Sequence, residues 1–195
     1  MSKKIIVSFV LIIATMIQVS AQKSRKVSID NTVSSVEWTG KKVTGQHTGA
    51  ISINSGSLTL KNGKLVKGTI SIDMTTITCS DLKGEWNDKL IGHLKSADFF
   101  DVENYKTAVL KINKVTEGKD GNSTVNGTIT IKGITKPIEF STKMEIKDGK
   151  LAAFAEVNID RTLYNIKYGS GKFFEDLGDK AINDEFIVKF KIAAK

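Results

Sequence analysis

The sequence predicts an all-β protein with one principal helix, in which eight or nine antiparallel strands close into a barrel. The clearest observation is residues 123–146, where apolar and polar side chains alternate on both sides of a short break at 133–137. Alternate side chains of a strand point to opposite faces, so this stretch is typical of a hairpin with one apolar and one polar face. Further strands must cover that apolar face, because an isolated hairpin cannot bury it.

Four strand segments are predicted before the helix. Alternation around Val36 and Trp38 marks residues 33–40, and His47, Ile51 and Ile53 share one face of a segment over 46–53. Leu58 and Leu60 then lead to Asn62-Gly63, a strong signal for a tight hairpin turn, and residues 65–73 form the returning strand.

One amphipathic helix is predicted, capped by Ser80 or Asp81 and ending near Lys95. Its apolar stripe spans an arc of about 120° at 100° per residue and consists of Leu82, Trp86, Leu90, His93 and Leu94. We expect this helix to lie across the mouth or the wall of the barrel, with the stripe inward.

The remaining strands are predicted over 107–116, in the hairpin, over 151–157 and over 185–192, with a long loop at 160–180. A β-sandwich is the structural alternative. An outer-membrane barrel is disfavoured, because its outer face must be apolar. Here the second face carries charged side chains, namely Lys111, Lys132, Lys143, Glu145, Lys189 and Lys191.

The first 21 residues have the pattern of a secretory signal peptide. Lys3 and Lys4 precede an apolar run over residues 5–17, and Val19-Ser20-Ala21 is a small-residue cleavage pattern. The apolar run is too short for the roughly 20 residues of a membrane span. We predict cleavage after Ala21, export to the periplasm, and a single mature domain over residues 22–195.

The net positive charge of the chain favours anionic partners, and nucleic acid is the least favoured of them. The chain has a net charge of +8, and loss of Lys3 and Lys4 with the leader leaves +6. That balance suits transient contact with a membrane surface or an anionic headgroup. Interspersed charges on an exported chain argue against nucleic acid. Oligomeric state is left open, with a homodimer as one alternative.

Signals for catalysis are scarce. The sequence has neither a G-x-S-x-G elbow nor a C-x-x-C pair, and its one cysteine, Cys79, excludes an internal disulfide. His47, His93 and Cys79 are the good nitrogen and sulfur ligands, so a zinc site would need convergence of distant residues. We predict no catalytic set, no metal and no cofactor, with His93 packed and hydrogen-bonded.

Three blocks carry a resemblance to a known family. They are residues 92–105, which read GHLKSADFFDVENY, residues 125–137, and Ile159-Asp160-Arg161 followed by residues 178–182. Together with Trp38-Thr39-Gly40, they make the chain similar to the YceI-like family of exported, lipocalin-like lipid-binding proteins. Lys106 departs from the proline that the family often has there. The resemblance implies an extended, eight-stranded barrel whose long apolar pocket takes an amphiphile, such as a polyisoprenoid or a fatty-acid derivative.

Together these observations predict a periplasmic binding or carrier protein for a long-chain amphiphilic lipid. The residues expected to contact the ligand are Trp38, His47, Ile51, Ile70, Ile72, Leu110, Ile112, Ile129, Phe140, Met144, Arg161, Phe186 and Phe190. Arg161 either meets an anionic headgroup or forms an ion pair with an acid such as Asp160 or Asp179. Each apolar residue has ordinary core packing as its alternative.

Room for a ligand is expected from small inward residues, namely Gly49, Gly68, Ala108, Gly127, Ala153 and Ala155. Phe140, Phe186 and Phe190 could instead fill that room. Two other functions therefore stay open. One is an enzyme acting on a lipid-like substrate, with His47 as acid or base, and the other is a solid-cored envelope stress or interaction protein.

Overall fold

The structure is a computed structural model that describes residues 23–119 and 121–195. The predicted leader, residues 1–21, lies outside the described residues. In chain order the elements are β1 (Ser24–Ser28), β2 (Ser35–Lys42), β3 (Gly45–Lys61), β4 (Lys64–Asp73), α1 (Gly84–Lys95), β5 (Thr107–Glu117), β6 (Asn122–Ile131), β7 (Ile134–Lys147), β8 (Lys150–Asp160) and β9 (Glu185–Ala194). Short 3₁₀ turns occupy Met74–Thr76, Arg161–Tyr164 and Gly178–Lys180.

The strands form one closed antiparallel barrel, in the order β1-β3-β2-β9-β8-β7-β6-β5-β4 with a β3–β4 pairing that completes the ring. β2 pairs with the first part of β3, where Val36 lies opposite Ile51. β1 pairs with the far part, where Val27 lies opposite Leu58. β1 and β2 therefore share one position beside β3, and the ring is eight-stranded. The predicted barrel is confirmed, and the sandwich alternative is wrong.

Two features of the strands differ from the prediction. β1 was not predicted, because Val27 is its single apolar residue and gives no alternation to detect. β3 is one strand of 17 residues where two segments were expected. A register shift between Ile53 and Ser55 absorbs the break in its pattern, as a β-bulge does.

The predicted alternation of β7 is confirmed. Ile138 and Phe140 are partly buried against the core, whereas Glu139 and Lys143 are exposed. Thr142 is a polar side chain on the inner face, and it is 4% exposed. Its hydroxyl donates to the carbonyl oxygen of Phe154 at 2.9 Å, so this buried polar group is satisfied.

The helix begins later than predicted, at Gly84, with Lys83 as its N-cap residue. Asp81 does not cap the helix, because its carboxylate accepts the backbone N–H of Thr48 at 2.8 Å. The expected inward position of Trp86 is also wrong, since this side chain is 71% exposed. Among the described residues, no helix is long and apolar enough to cross a membrane.

The buried face of α1 is rotated relative to the predicted stripe. Leu94 is buried, and Leu90 and Ile91 pack against the core. Leu94 lies four positions after Leu90 and three after Ile91, so the three side chains share one side of the helix. Ile91, which the stripe excluded, packs inward, whereas Trp86 is exposed.

Candidate ligand-binding site

The first cavity, here called the outer cavity, lies between the barrel strands and the segment that ends α1. It has a volume of about 780 Å³, counting all space between its lining atoms and including the part open to solvent. Its lining includes Val36, Trp38, Ile51, Ile72, Met74, Ile77, Leu94, Phe99, Phe100, Ile129, Ile131, Arg161, Phe186, Val188 and Phe190.

A second, inner cavity of about 430 Å³, measured in the same way, is lined by other positions of the barrel strands. Its walls are Leu58, Leu65, Ile70, Leu110, Ile112, Val125, Phe140, Thr142, Met144, Leu151, Ala153, Ala155, Phe190 and Ile192. Phe190 is the one described residue that lines both cavities. The ring of Phe190 therefore stands at the boundary between them.

All the predicted ligand-contacting residues except His47 line one of these two cavities. Trp38, Ile51, Ile72, Ile129, Arg161, Phe186 and Phe190 line the outer cavity, and Ile70, Leu110, Ile112, Phe140, Met144 and Phe190 line the inner one. His47 lines neither cavity, and its Nδ1 lies 2.8 Å from an Asp81 carboxylate oxygen. His47 and Ile51 share one face of β3, but the lining of the outer cavity includes Ile51 and not His47.

The outer cavity ends at polar residues that the sequence did not single out. Lys41, Asn183 and Glu185 line it and are exposed. Lys41 lies near the end of β2, and Asn183 and Glu185 lie at the start of β9, next to a bridge between Lys42 and Ile182. We call this edge the mouth. An elongated amphiphile could place its polar end there and its tail inside.

Residues 94–100 supply a wall that was missed as part of the site. Leu94, Phe99 and Phe100 line the outer cavity, and the rings of Phe99 and Phe100 meet edge to face with centroids 5.1 Å apart. The apolar character of this block was visible in the sequence. Its position over the cavity depends on how the chain after α1 folds back onto the barrel.

Arg161 is 1% exposed, and its guanidinium is occupied by the protein's own backbone. Its Nε, Nη1 and Nη2 donate to the carbonyl oxygens of Asn183, Ile166 and Ile182 at 3.0, 2.9 and 3.0 Å. The acid beside it is Asp184, 3.8 Å from Nη2, rather than the expected Asp160 or Asp179.

The electrostatics of Arg161 support a structural role. Burial lowers the pKa of Arg161, and the charges of Asp184 and Asp160 oppose that shift. Asp160 itself binds Lys172, 2.9 Å away. The guanidinium thus fastens the segment before β9 to the end of β8, which favours the structural alternative over the headgroup role.

Only some of the small inward residues make room for a ligand. A Cβ on Gly49 would overlap the carbonyl oxygen of Thr78, and one on Gly127 would overlap that of Lys111. These glycines permit close backbone approach instead of opening space. Gly68 similarly faces the side chain of Leu58. Ala153 and Ala155, by contrast, line the inner cavity.

His93 is packed at the rim of the site but is not hydrogen-bonded through Nε2. Its ring lies 5.5 Å from that of Phe99 and 4.3 Å from that of Tyr168, both edge to face. Its buried Nε2 has no hydrogen-bond partner among the described residues. Burial lowers the pKa of His93, with Asp98 opposing the shift, so the imidazole is neutral at pH 7.

A closed antiparallel barrel with an apolar interior and a polar mouth defines a lipocalin-like architecture. The YceI-like domain is matched by residues 28–194, and the chain belongs to the YceI-like family.

Curated relatives match over shorter stretches. A UPF0312 protein of Vibrio cholerae is 44% identical over 46 residues, which cover 24% of this chain and 24% of that protein. A UPF0312 protein of Vibrio parahaemolyticus is 30% identical over 84 residues, covering 43% of this chain and 42% of the relative. The chain thus spans less than half the length of these relatives.

Solved structures share the fold. BcnA of Burkholderia cenocepacia superposes with a TM-score of 0.68 at 20% identity, over 86% of this chain and 99% of BcnA. A polyisoprenoid-binding domain from Saccharophagus degradans, implicated in plant cell wall breakdown, superposes with a TM-score of 0.64 at 14% identity, over 87% of this chain and 97% of that domain. A YceI protein of Campylobacter jejuni superposes with a TM-score of 0.52 at 15% identity, over 98% of this chain and 97% of that protein.

Proposed function

We propose that this protein is an exported binding or carrier protein for a long-chain amphiphilic lipid, either a polyisoprenoid or a fatty-acid derivative. The observation that carries the proposal is the outer cavity, whose walls are mainly Ile, Leu, Val, Phe and Trp side chains and whose exposed polar residues lie at the mouth. The Saccharophagus degradans domain, described as polyisoprenoid-binding, supports this ligand class. In this account the mature domain spans residues 22–195 and acts in the periplasm.

Hydrophobic burial is large enough to hold such a tail. Burying a five-carbon prenyl unit contributes about 4 kcal/mol, at about 0.8 kcal/mol per carbon. Several units offset an association cost of about 4–15 kcal/mol. A small polar metabolite would gain far less from these walls, so a long tail is the ligand that the lining favours.

Binding is favoured over catalysis by the placement of the titratable groups. His47, the candidate acid or base, lines neither cavity and faces Asp81 instead. Arg161, which is 1% exposed, donates to three backbone carbonyls. We therefore propose no catalytic role for either residue toward a ligand in the barrel.

We also propose that the protein delivers or collects its lipid at a membrane surface through an exposed segment, residues 163–174, called here the aromatic loop. Its Leu163, Tyr168, Phe173 and Phe174 side chains are 51%, 48%, 44% and 49% exposed. Lys167 lies over the Phe173 ring at 5.0 Å. Aromatic and basic side chains together suit the interface of an anionic bilayer.

The aromatic loop adjoins the ligand site. Tyr168 packs on His93 of α1, and His93 packs on Phe99 of the outer cavity. We expect the double variant Phe173→Ser, Phe174→Ser to lose co-sedimentation with vesicles containing anionic lipid. The equally exposed Phe154 of β8 gives the control Phe154→Ser, which should bind normally. Equal binding by all three proteins would remove the docking role.

The binding proposal can be tested by fluorescence, because the chain has two tryptophans in opposite environments. Trp38 lines the outer cavity and is 7% exposed, whereas Trp86 is 71% exposed. In a delipidated Trp86→Phe variant, polyprenyl phosphates or fatty acids with brominated tails should quench Trp38, and the quenching should saturate at one lipid per chain. The matched Trp38→Phe variant, which retains Trp86, should show no saturable quenching.

Two outcomes would change the conclusion. A folded Trp86→Phe protein whose Trp38 is not quenched by any tail would favour the solid-cored interaction protein. Chemical conversion of the added lipid, detected by mass spectrometry of the extract, would favour the enzyme. Export is tested separately, because the protein recovered from the periplasm should begin at Gln22.

A further inference from the structure

Three side chains with metal-binding atoms converge beside the outer cavity, where residues 78–81 pack along β3. His47 Nδ1, Cys79 Sγ and one carboxylate oxygen of Asp81 all lie within 4.8 Å of one another. His47 Nδ1 is 2.8 Å from Asp81 Oδ2, and Cys79 Sγ is 3.3 Å from Asp81 Oδ1. His47 and Asp81 are 34 positions apart in the sequence.

The backbone holds this cluster in place. Residues 78–80 lie along β3, where the N–H of Thr78 donates to Ala50 O and the N–H of Ser80 donates to Thr48 O, both at 2.9 Å. The other Asp81 oxygen, Oδ1, also accepts the N–H of Thr48 at 2.8 Å. Such a bond to the second oxygen is the kind of outer contact that orients a metal-binding carboxylate.

We propose that His47, Cys79 and Asp81 form a binding site for a zinc-class divalent cation. Imidazole nitrogen, thiolate sulfur and carboxylate oxygen are all ligands that Zn²⁺ takes, whereas Ca²⁺ and Mg²⁺ require mostly oxygen. With the cysteine as thiolate, three protein ligands leave a fourth tetrahedral position for water or another ligand. This arrangement is typical of open zinc sites.

The separation of His47 and Asp81 is close to what a tetrahedral zinc ion needs, and Cys79 Sγ lies within 4.8 Å of both ligand atoms. Metal–ligand bonds of about 2.0–2.3 Å place neighbouring ligand atoms roughly 3.3–3.6 Å apart. The nitrogen and oxygen atoms at 2.8 Å must therefore separate by only a few tenths of an ångström. The side chains of His47 and Asp81 are 31% and 37% exposed, which gives them freedom to adjust and gives the ion a path from solvent.

The site would be independent of lipid binding but would adjoin the cavity wall. Trp38 Nε1 donates to the carbonyl oxygen of Thr78 at 2.9 Å, next to Cys79 in the chain. Asn87 Nδ2 of α1 donates to the carbonyl oxygen of Cys79 at 3.2 Å. A bound ion would thus cross-link β3 to the segment that supports both Trp38 and α1.

Cobalt is a suitable probe, because thiolate–Co²⁺ bonds give a charge-transfer band and tetrahedral Co²⁺ gives intense visible absorption. We expect the untagged, reduced, metal-free protein to show both features, saturating at one Co²⁺ per chain and abolished by Zn²⁺. Zn²⁺ should also raise the melting temperature of the unsubstituted protein, because the ion binds the folded site. Neither measurement depends on a variant that folds.

Substitutions then assign the ligands. Cys79→Ser should lose the charge-transfer band, and His47→Gln and Asp81→Asn should each weaken Zn²⁺ binding at least about 10-fold. The matched control is His93→Gln, which removes the chain's other histidine and should bind as before. A missing charge-transfer band in the unsubstituted protein, or unchanged Zn²⁺ affinity in folded Cys79→Ser, would overturn the site.

Discussion

Phe190 of β9 lies directly opposite Ala155 of β8 in the antiparallel register. On its other side, Phe190 lies opposite Val36 of β2. Ala155 lines the inner cavity, Val36 lines the outer cavity, and Phe190 lines both. The position of this single ring between a small and a medium-sized neighbour therefore divides the barrel interior into two parts.

Removing that ring should widen the passage between the two cavities. We expect Phe190→Ala to shift the preferred ligand toward longer tails, because more of the tail can then enter the inner cavity. The cavity created should lower the free energy of unfolding by about 3–5 kcal/mol. Binding of a chain-length series and urea denaturation measure the two effects.

The control for this variant is Phe154→Ala. The ring of Phe154 is 50% exposed and lies on the face of β8 opposite to that of Ala155. It should leave both the chain-length preference and the stability nearly unchanged. If Phe190→Ala kept the original chain-length preference, Phe190 would not be the boundary.

Filling the inner cavity should have the opposite effect on long ligands. Ala153 lines the inner cavity, so Ala153→Phe should abolish binding of the longest tails while short tails still occupy the outer cavity. Overpacking should cost about 1–3 kcal/mol of stability. The neighbouring Ala152 is exposed, and Ala152→Phe is the matched control. Equal ligand profiles for both variants would show that tails do not reach the inner cavity.

Arg161 should matter more for stability than for headgroup selectivity. Arg161→Ala leaves the carbonyl oxygens of Asn183, Ile166 and Ile182 without their donor and Asp184 with Lys172 as its remaining cation, at a cost of about 3–5 kcal/mol. Arg161→Lys should not restore stability, because an ammonium cannot reproduce the fork of donors. Denaturation curves measure this loss. A stable Arg161→Ala protein that selectively loses anionic lipids would restore the headgroup role.

Headgroup selectivity should instead reside at the mouth. Lys41 lines the outer cavity and is exposed, so Lys41→Ala should weaken binding of anionic lipids by a few-fold and leave neutral lipids unaffected. Salt should reduce the difference. Lys111 of β5 is exposed and lines neither cavity, so Lys111→Ala is the control. Identical salt dependence in all three proteins would exclude Lys41.

Stability should fall as the pH drops below 6.5 because of His93. Its folded-state pKa lies below the ordinary value of 6.5, because burial disfavours the imidazolium. Below pH 6.5 the unfolded chain therefore binds a proton at His93 more readily than the folded chain does. The stability that the neutral imidazole contributes is lost progressively as the pH falls to the folded-state pKa. The melting temperature of His93→Gln should depend less on pH between 6.5 and 5. An unchanged slope would contradict this assignment.

Local patterns predicted the barrel well because a strand's two faces alternate with a period of two residues. Glu139, Phe140 and Met144 take the faces that the alternation assigns to them. The start of α1 was not predictable in the same way. Asp81 has a good capping side chain, but a partner far away in the chain, Thr48, binds it instead.

The residue types that line the two cavities were predictable from the sequence, but their arrangement was not. Alternation identified the cavity-lining positions because it separates the inward-facing residues of a strand from the outward-facing ones. Whether Gly49 opens space or admits the Thr78 carbonyl depends on how β3 packs, and so does the meeting of His47 with Cys79. Contacts between distant segments leave no periodic trace in the sequence.

The most direct test of the carrier account is native mass spectrometry of the protein recovered from the periplasm, with solvent extraction to identify what it releases. The account predicts one defined lipid adduct on the unsubstituted protein and on Ala152→Phe, and a lost or shorter-tailed adduct on folded Ala153→Phe. A bare mass for the unsubstituted protein, together with no uptake of added polyprenyl phosphates or fatty acids, would contradict it.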